Sequence, residues 1–438
     1  MKNNYLITII FVVLSLQSVV FAATAKKENT VRQEMFEEKT DPLREKAKAG
    51  DVDAQMQLGN EYFYGEKRPK NYTLAAFWYG KAAQAGNAAA QFNLGLCYEQ
   101  GAGLQKSAFH AFQSYKKAAE GGIAQAKFNM ALCYVHGIEP EEANKTPPIF
   151  PDHEKAEKLL MELSEKGFPP ATRELASLYL SRENADTELK NKAFQMLKKS
   201  AADGDGASMR LLADCYYDGV GGVKSEEKMI LWLKKAAERG DMEGQAKLAY
   251  CYEYGNGVKP NPEKAFSLFK NAAEKGLPMA QVKMGDYYST GNYVDHDINT
   301  AIEWYEKAAV KKNPYAIFKL GVFAYEGIGQ KMNKQKAAEL FFESAKLGNS
   351  HAQYNIATFF EEGTVISADP GAAFYWFKQA ALQNDAGAQR KVAFCYLQGT
   401  GTKKDYKEAV KWLGQAARNG DKEAIQMLQE LMPSSTPR

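Results

Sequence analysis

One short pattern, small–x–x–x–apolar–small, recurs along the chain at a regular spacing and constrains its fold more than any other feature. Successive copies lie 36 residues apart, except for one step of 45 and one of 37 residues. A fixed period of this length is typical of repeat proteins, in which each unit is one supersecondary element. The copies begin at Ala54, Ala90, Ala126, Ala171, Ser208, Gly244, Ala280, Ala316, Ala352, Ala388 and Ala424.

The turns inside each unit can be placed by counting offsets from its first residue. Glycine stands at offset +11 in nearly every unit, which predicts a helix ending in a left-handed residue. Prolines two residues before the unit, as at Pro169, Pro278 and Pro314, suit the first turn of a helix. Each unit is therefore predicted to contain two helices, A and B, and no strand. The predicted N-cap residues of helix B at offset +17 are Asn71, Ser107, Ser225, Asn261, Asp297, Asn333, Asp369 and Asp405.

No such unit can bury its apolar faces alone, so the units must stack on one another. We therefore predict an all-α fold, an α/α superhelical solenoid of about ten two-helix repeats plus a terminal half repeat, over residues 42–432. A length of 438 residues would otherwise suggest two or three compact domains. The repeat favours one elongated array instead.

The motif also resembles a known family. The segment Ala90–Tyr98, the pair Gly101 and Gly103, and the Lys-Ala-Ala-x-Gly run from Lys117 to Gly121 are similar to the Sel-one-like repeat of the tetratricopeptide-like superfamily. This resemblance implies an adaptor or scaffold for other proteins. In bacteria, such proteins are often exported and linked to envelope maintenance or host interaction.

Two neighbouring units depart from the pattern. The unit at Ala126 carries a proline-rich insertion at 139–152, and the next unit lacks the glycine turn and reads Leu-Ser-Arg-Glu-Asn over 180–184. The insertion is either a tolerated surface loop or a loop that shapes a partner site or bends the array.

The N-terminus has the features of a secretory signal peptide at 1–25. A lysine precedes an apolar run, and small residues end it, with possible cleavage after Ala22 or Ala25. The alternative is an uncleaved membrane anchor. Residues 26–41 form a lead-in and 433–438 a tail. We expect an exported protein, in the bacterial periplasm or secreted, with no transmembrane segment after cleavage.

Every cysteine and every tryptophan obeys the repeat. The five cysteines, Cys97, Cys133, Cys215, Cys251 and Cys395, occupy offset +7, and the five tryptophans occupy offset +24. Equivalent helices in successive repeats lie about 9–10 Å apart, which is too far for a disulfide. We therefore predict buried free thiols, a tryptophan stripe in the core of helix B, and no metal or cofactor.

The charge balance and the motifs argue against several functions. Lysine and arginine number 56 against 53 acidic residues, so no net field favours nucleic acid. Ser-x-x-Lys occurs at Ser114, Ser225 and Ser267, but the companion motifs of a β-lactamase-like hydrolase are missing. We predict a monomer that is not an enzyme.

A candidate partner site follows from the register. In related solenoids helix A lines the concave surface, and offset +3 is free of packing constraints. At this offset, three consecutive repeats each carry a lysine, and together these lysines would form a basic stripe for an acidic peptide or anionic envelope polymer. The alternative is a solvated row of charges. The column comprises Asn93, Asn129, Glu174, Lys247, Lys283, Lys319, Asn355 and Lys391.

The leading hypothesis is a non-catalytic exported scaffold that binds an unidentified protein or peptide. The alternative is a peptidoglycan- or glycan-associated envelope factor, or a regulator of a cell-wall enzyme.

Overall fold

A computed structural model describes residues 41–140, 147–183, 185–222 and 224–431, which contain 22 α-helices. The predicted signal peptide (1–25), the tail (433–438) and the lead-in before Asp41 lie outside the described residues. The helices are α1 Pro42–Lys48, α2 Val52–Tyr64, α3 Tyr72–Gln84, α4 Ala88–Gln100, α5 Ala108–Glu120, α6 Ala124–His136, α7 His153–Glu165, α8 Pro169–Ser181, α9 Thr187–Ala202, α10 Gly206–Asp218, α11 Glu226–Glu238, α12 Met242–Tyr254, α13 Pro262–Glu274, α14 Pro278–Thr290, α15 Ile298–Val310, α16 Pro314–Glu326, α17 Lys334–Lys346, α18 Ser350–Glu362, α19 Pro370–Leu382, α20 Ala386–Gln398, α21 Tyr406–Arg418 and α22 Lys422–Leu431.

The helix ends lie where the repeated glycines and capping residues predict them. Helix α2 ends at Gly65, whose φ of 75° is left-handed. Helix α3 then begins after Asn71, whose side-chain oxygen accepts a hydrogen bond from the backbone N–H of Leu74 at 3.1 Å. From α2 onward the even-numbered helices are helices A and the odd-numbered helices are helices B. The predicted all-α fold of two-helix repeats is confirmed.

The helices group into two compact units, one up to Met196 and one from Leu197. Within each unit a helix packs mainly on its neighbours in chain order, as stacked repeats require. The small residue at offset +5 allows the close approach of helices A and B. At Gly59 in the first unit, an added Cβ would lie 2.5 Å from the buried ring of Tyr79.

The second glycine of the Gly-x-Gly turns rests on the preceding helix B. Gly103 (φ 76°) approaches the backbone of Tyr72 and Gly401 (φ 71°) approaches that of Pro370 so closely that a Cβ would overlap the carbonyl group. The close packing of the backbone therefore requires glycine at these two positions.

The insertion leaves the repeat connection intact. Ile138 and Ile149 form an antiparallel bridge, and the backbone N–H of Asp152 donates to the carbonyl of Tyr134 at 2.7 Å. An ordinary unit makes the same link from Asn71 to Tyr62. The residues on both sides of the insertion are therefore joined as in an ordinary unit, and 141–146 lie outside the described residues. In the next unit, α8 ends at Arg182 in an extended conformation rather than at a left-handed glycine.

No helix in the described part of the chain is long and apolar enough to cross a membrane.

Candidate functional site

The predicted offset +3 column lies on successive helices A, and every member is half-buried. Asn93, Asn129 and Glu174 belong to the first unit, whereas the lysines and Asn355 belong to the second. Asn129 accepts a hydrogen bond from the Gln125 amide at 3.0 Å. The second unit therefore carries all the positive charge of the column.

Three of the lysines form ion pairs with the preceding helix A. Lys247 Nζ lies 2.6 Å from Asp214 Oδ1, and Lys391 Nζ lies 2.6 Å from Glu361 Oε2. Lys283 Nζ lies 3.1 Å from Glu253 Oε2. Carboxylates thus alternate with the lysines, and the surface is a ladder of paired charges between repeats rather than a stripe of positive charge alone.

Lys319 forms no ion pair of this kind with any described residue, and the half-buried Asp286 is the acidic group that its charge influences. Its ammonium is 5.7 Å from the centre of the Phe323 ring. Burial raises the pKa of Asp286, and the positive charges of Lys319 and Lys283 partly oppose that rise. Tyr305 donates its phenolic O–H to Asp286 Oδ1 at 2.7 Å.

The most elaborate part of the column surrounds Lys283, whose ammonium lies among four aromatic rings. The ring centres of Tyr250, Tyr254, Phe269 and Tyr287 are 5.0, 5.8, 5.7 and 5.8 Å away. Burial lowers the pKa of Lys283, but hydrogen bonding and the charge of Glu253 outweigh burial, and the net shift is upward. We call these six residues the Lys283 cluster.

The Lys283 cluster has an exposed side. The rings of Tyr250 and Tyr254, one helical turn apart on α12, are stacked with centres 6.1 Å apart and an angle of 6° between planes. Tyr254 is 63% exposed, whereas Phe269 is fully buried. The offset +3 column predicted Lys283 but missed these tyrosines, because they occupy offsets +6 and +10. Those offsets lie on the same helix face as +3, so helical periodicity was the available signal.

Exposed aromatic residues recur on the C-terminal halves of other helices A in the second unit, at offsets +6 or +9. They are Tyr217 on α10, Tyr325 on α16 and Phe394 on α20.

All five cysteines have free thiols, as predicted, and all except the half-buried Cys133 are buried. Burial raises the pKa of Cys97 and Cys395 to about 11 and that of Cys215 to about 12. Such thiols are packing groups rather than nucleophiles at neutral pH.

Only part of the tryptophan stripe lies in the core, contrary to the prediction. Trp78 and Trp412 are buried, but Trp232, Trp304 and Trp376 are half-buried. The Lys307 ammonium lies 4.0 Å from the centre of the Trp304 ring, so this part of the stripe reaches the surface.

Two of the Ser-x-x-Lys serines have local structural roles. Ser114 donates its hydroxyl to the carbonyl of His110 at 2.9 Å, and Ser225 caps α11 by accepting from the N–H of Lys228 at 3.2 Å. Over the described ranges, no group of three or more His, Cys, Asp or Glu residues could hold a metal ion.

Comparison with protein-family models finds ten matches to the Sel1 repeat. They cover residues 52–87, 88–123, 124–167, 169–205, 206–241, 243–277, 278–309, 314–349, 350–385 and 386–421. No curated protein matches the chain.

Two solved structures are similar over most of the chain. One is a protective antigen present in uropathogenic Escherichia coli strains and described as displaying an SLR fold. It is 27% identical, with a TM-score of 0.53, and the match covers 90% of this chain and 82% of that one. A Sel1 repeat protein from Oxalobacter formigenes is also 27% identical, with a TM-score of 0.52, and the match covers 73% of this chain and 89% of that one.

Proposed function

Because the chain belongs to the Sel1 repeat family, we propose that it is an exported, non-catalytic scaffold that binds a protein partner on the helices A of its second unit. Sel1 repeat proteins are typically scaffolds for protein–protein interaction. Export and a role in envelope maintenance or host interaction are part of the proposal. The apolar leader at 1–25 and the likeness to an antigen of a pathogenic bacterium support them.

The observation that carries the proposal is the Lys283 cluster with its exposed tyrosines. Tyrosine is enriched among the residues that dominate the energy of protein interfaces. The ring of Tyr254 offers apolar area at low entropic cost, because its neighbour Tyr250 stacks on it and restricts its motion. The adjacent pair of Lys283 and Glu253 supplies both signs of charge, so a partner of mixed charge suits this surface better than a uniformly acidic one.

Site-specific photocrosslinking in the source organism tests the proposal. The photoreactive residue p-benzoylphenylalanine would replace Tyr254, and in a matched control it would replace Tyr375, which is 53% exposed on the helix B α19. We expect one discrete protein adduct from position 254 and none from 375. The absence of an adduct at 254, or identical adducts at both positions, would contradict the proposed surface.

Binding to isolated cell-wall sacculi separates the glycan-associated alternative from the scaffold. Purified protein that sediments with protein-free sacculi, and loses this property in a Tyr254→Ala variant, would favour polymer as the ligand. We expect no such retention. Turnover of the β-lactam nitrocefin, abolished by Ser114→Ala, would contradict the non-catalytic assignment.

Export is tested by the N-terminus of the cellular protein. The proposal expects an extracytoplasmic fraction whose intact mass corresponds to cleavage after Ala22 or Ala25. A protein that retains residues 1–25 and stays in the cytosol would refute export without affecting the binding surface.

A further inference from the structure

A second candidate site lies in the first unit, in a groove between consecutive helices B. Helices α3 and α5 form its walls and α4 its floor. The second unit has an equivalent groove between α15 and α17 over α16. Six offsets line both grooves, so the two can be compared at those positions.

The groove of the first unit is wider because three wall residues are smaller. Ala76, Gly80 and Ser114 occupy the offsets that hold Ile302, Glu306 and Leu340 in the second unit. The volume is about 540 Å³ in the first unit and about 370 Å³ in the second. We call the wider groove the α3–α5 pocket.

Ser114 also interrupts the tryptophan column. At offset +24 the regular repeats carry an aromatic or a leucine side chain, and only the repeat of Ser114 departs from this rule among the 36-residue units. Its hydroxyl bonds to its own helix backbone, so it does not call for a polar ligand. The side chains at this offset elsewhere are Trp78, Trp232, Leu268, Trp304, Leu340, Trp376 and Trp412.

The pocket has an apolar interior and a cationic rim. Leu94 and Phe77 contribute apolar surface, while Lys81 and Lys117, at the same offset on α3 and α5, are exposed at the rim with His110. None of the lining residues is acidic, and no carboxylate in the described part of the chain forms an ion pair with either lysine. The lining of the narrower groove, in contrast, includes the acidic Glu306.

We propose that the α3–α5 pocket receives an aromatic side chain from an acidic segment of a partner protein. The absent tryptophan leaves room for an aromatic ring, and the ring would bury its apolar surface against Leu94 and Phe77. The two lysines would attract carboxylates that flank this ring. The inference rests on the proposed scaffold function for the class of ligand, but it is independent of the Lys283 cluster.

The test uses fluorescein-labelled peptides and the full mature chain. The probe is Asp-Glu-Trp-Asp-Glu, and the control peptide has alanine in place of its tryptophan; fluorescence anisotropy measures binding. We expect the tryptophan peptide to bind at least about tenfold more tightly than the alanine peptide. We also expect added salt to weaken its binding, since the lysines are exposed.

Filling the pocket should abolish this binding. Ser114→Trp copies the residue of the neighbouring repeats, and Ala76→Ile, which copies Ile302, narrows the pocket from the opposite wall. Leu340→Trp is the matched control, because it puts the same side chain into the narrower groove, and it should leave binding unchanged. Circular dichroism would verify that each variant is folded.

Several outcomes would overturn the proposal: no peptide binding at millimolar concentration, equal binding of the two peptides, or undiminished binding by folded Ser114→Trp and Ala76→Ile. None of these results bears on crosslinking from position 254, so failure of the pocket is distinguishable from failure of the scaffold function.

Discussion

The close contact of Gly401 with the preceding helix B gives the sharpest test of how the repeats are held together. Gly401 and Gly420 lie in the same repeat and share a positive φ, 71° and 89°. A Cβ on Gly401 would overlap the carbonyl of Pro370 and lie 3.0 Å from Phe374 Cβ, whereas a Cβ on Gly420 would have no neighbour within 4 Å. Alanine at the two positions therefore separates packing between repeats from backbone strain.

The expected losses in the free energy of unfolding follow from the cost of backbone strain and the cost of packing between repeats. Each of the two alanine substitutions should lower the free energy of unfolding by about 1 kcal/mol, because alanine disfavours the left-handed conformation. Gly401→Ala adds an overpacking cost of about 1–3 kcal/mol, because the carbonyl it meets is helix backbone and cannot rotate away. We expect a free-energy loss of about 2–4 kcal/mol for Gly401→Ala and about 1 kcal/mol for Gly420→Ala.

Hydrogen exchange and urea unfolding would measure the two variants. Repeat arrays lose stability through their nearest-neighbour interfaces, so the amides of α20 to α22 should exchange faster in Gly401→Ala than in Gly420→Ala. The urea midpoint, followed by circular dichroism at 222 nm, should fall further for Gly401→Ala. Equal effects of the two substitutions on both measurements would refute the reasoning.

Three further predictions concern caps, ion pairs and thiols. Asp405→Ala removes the side chain that accepts from the N–H of Glu408 at 3.0 Å and should lower the free energy of unfolding by about 1 kcal/mol, whereas Asp405→Asn should not. Lys283→Met leaves the carboxylate of Glu253 without its counter-charge, with the Tyr287 hydroxyl as its remaining donor at 3.2 Å among the described residues, and should lower the free energy of unfolding by about 1–3 kcal/mol; adding Glu253→Gln should recover part of that loss. The Cys395 thiol, with its pKa raised by burial from 9.0 to about 11, should resist Ellman's reagent at pH 8 until the chain unfolds. The thiol of the unfolded chain ionises at a lower pH than the buried thiol of the folded chain. The stability that the buried Cys395 thiol contributes should therefore be complete below pH 9 and be lost as the pH rises to 11, and urea midpoints across that range would check this.

The structure changes the interpretation of the lysine column. Considered at their own offset alone, the lysines allow two interpretations, a basic stripe for an anionic partner or a solvated row of charges. Lys247 pairs with Asp214 and Lys391 with Glu361, about 30 residues earlier in the chain in each case. The acidic residues occupy offset +6 in one repeat and +9 in another, so no single sequence column contains them. A positive stripe and a ladder of pairs differ only in side-chain distances, which the repeat register does not specify.

The sequence by itself determined the two-helix repeat, the ends of its helices and the residues that cap them. These features depend on backbone conformation within a few residues, as the left-handed Gly65 and the N-cap Asn71 illustrate. Tertiary structure decided which groups meet across repeats, including the rings around Lys283 and the volume left open at Ser114. The physical reason is the distance along the chain over which the deciding interactions act. A helix end is set by bonds three or four residues apart, whereas a surface is set by side chains that belong to different repeats and converge only after the helices have packed.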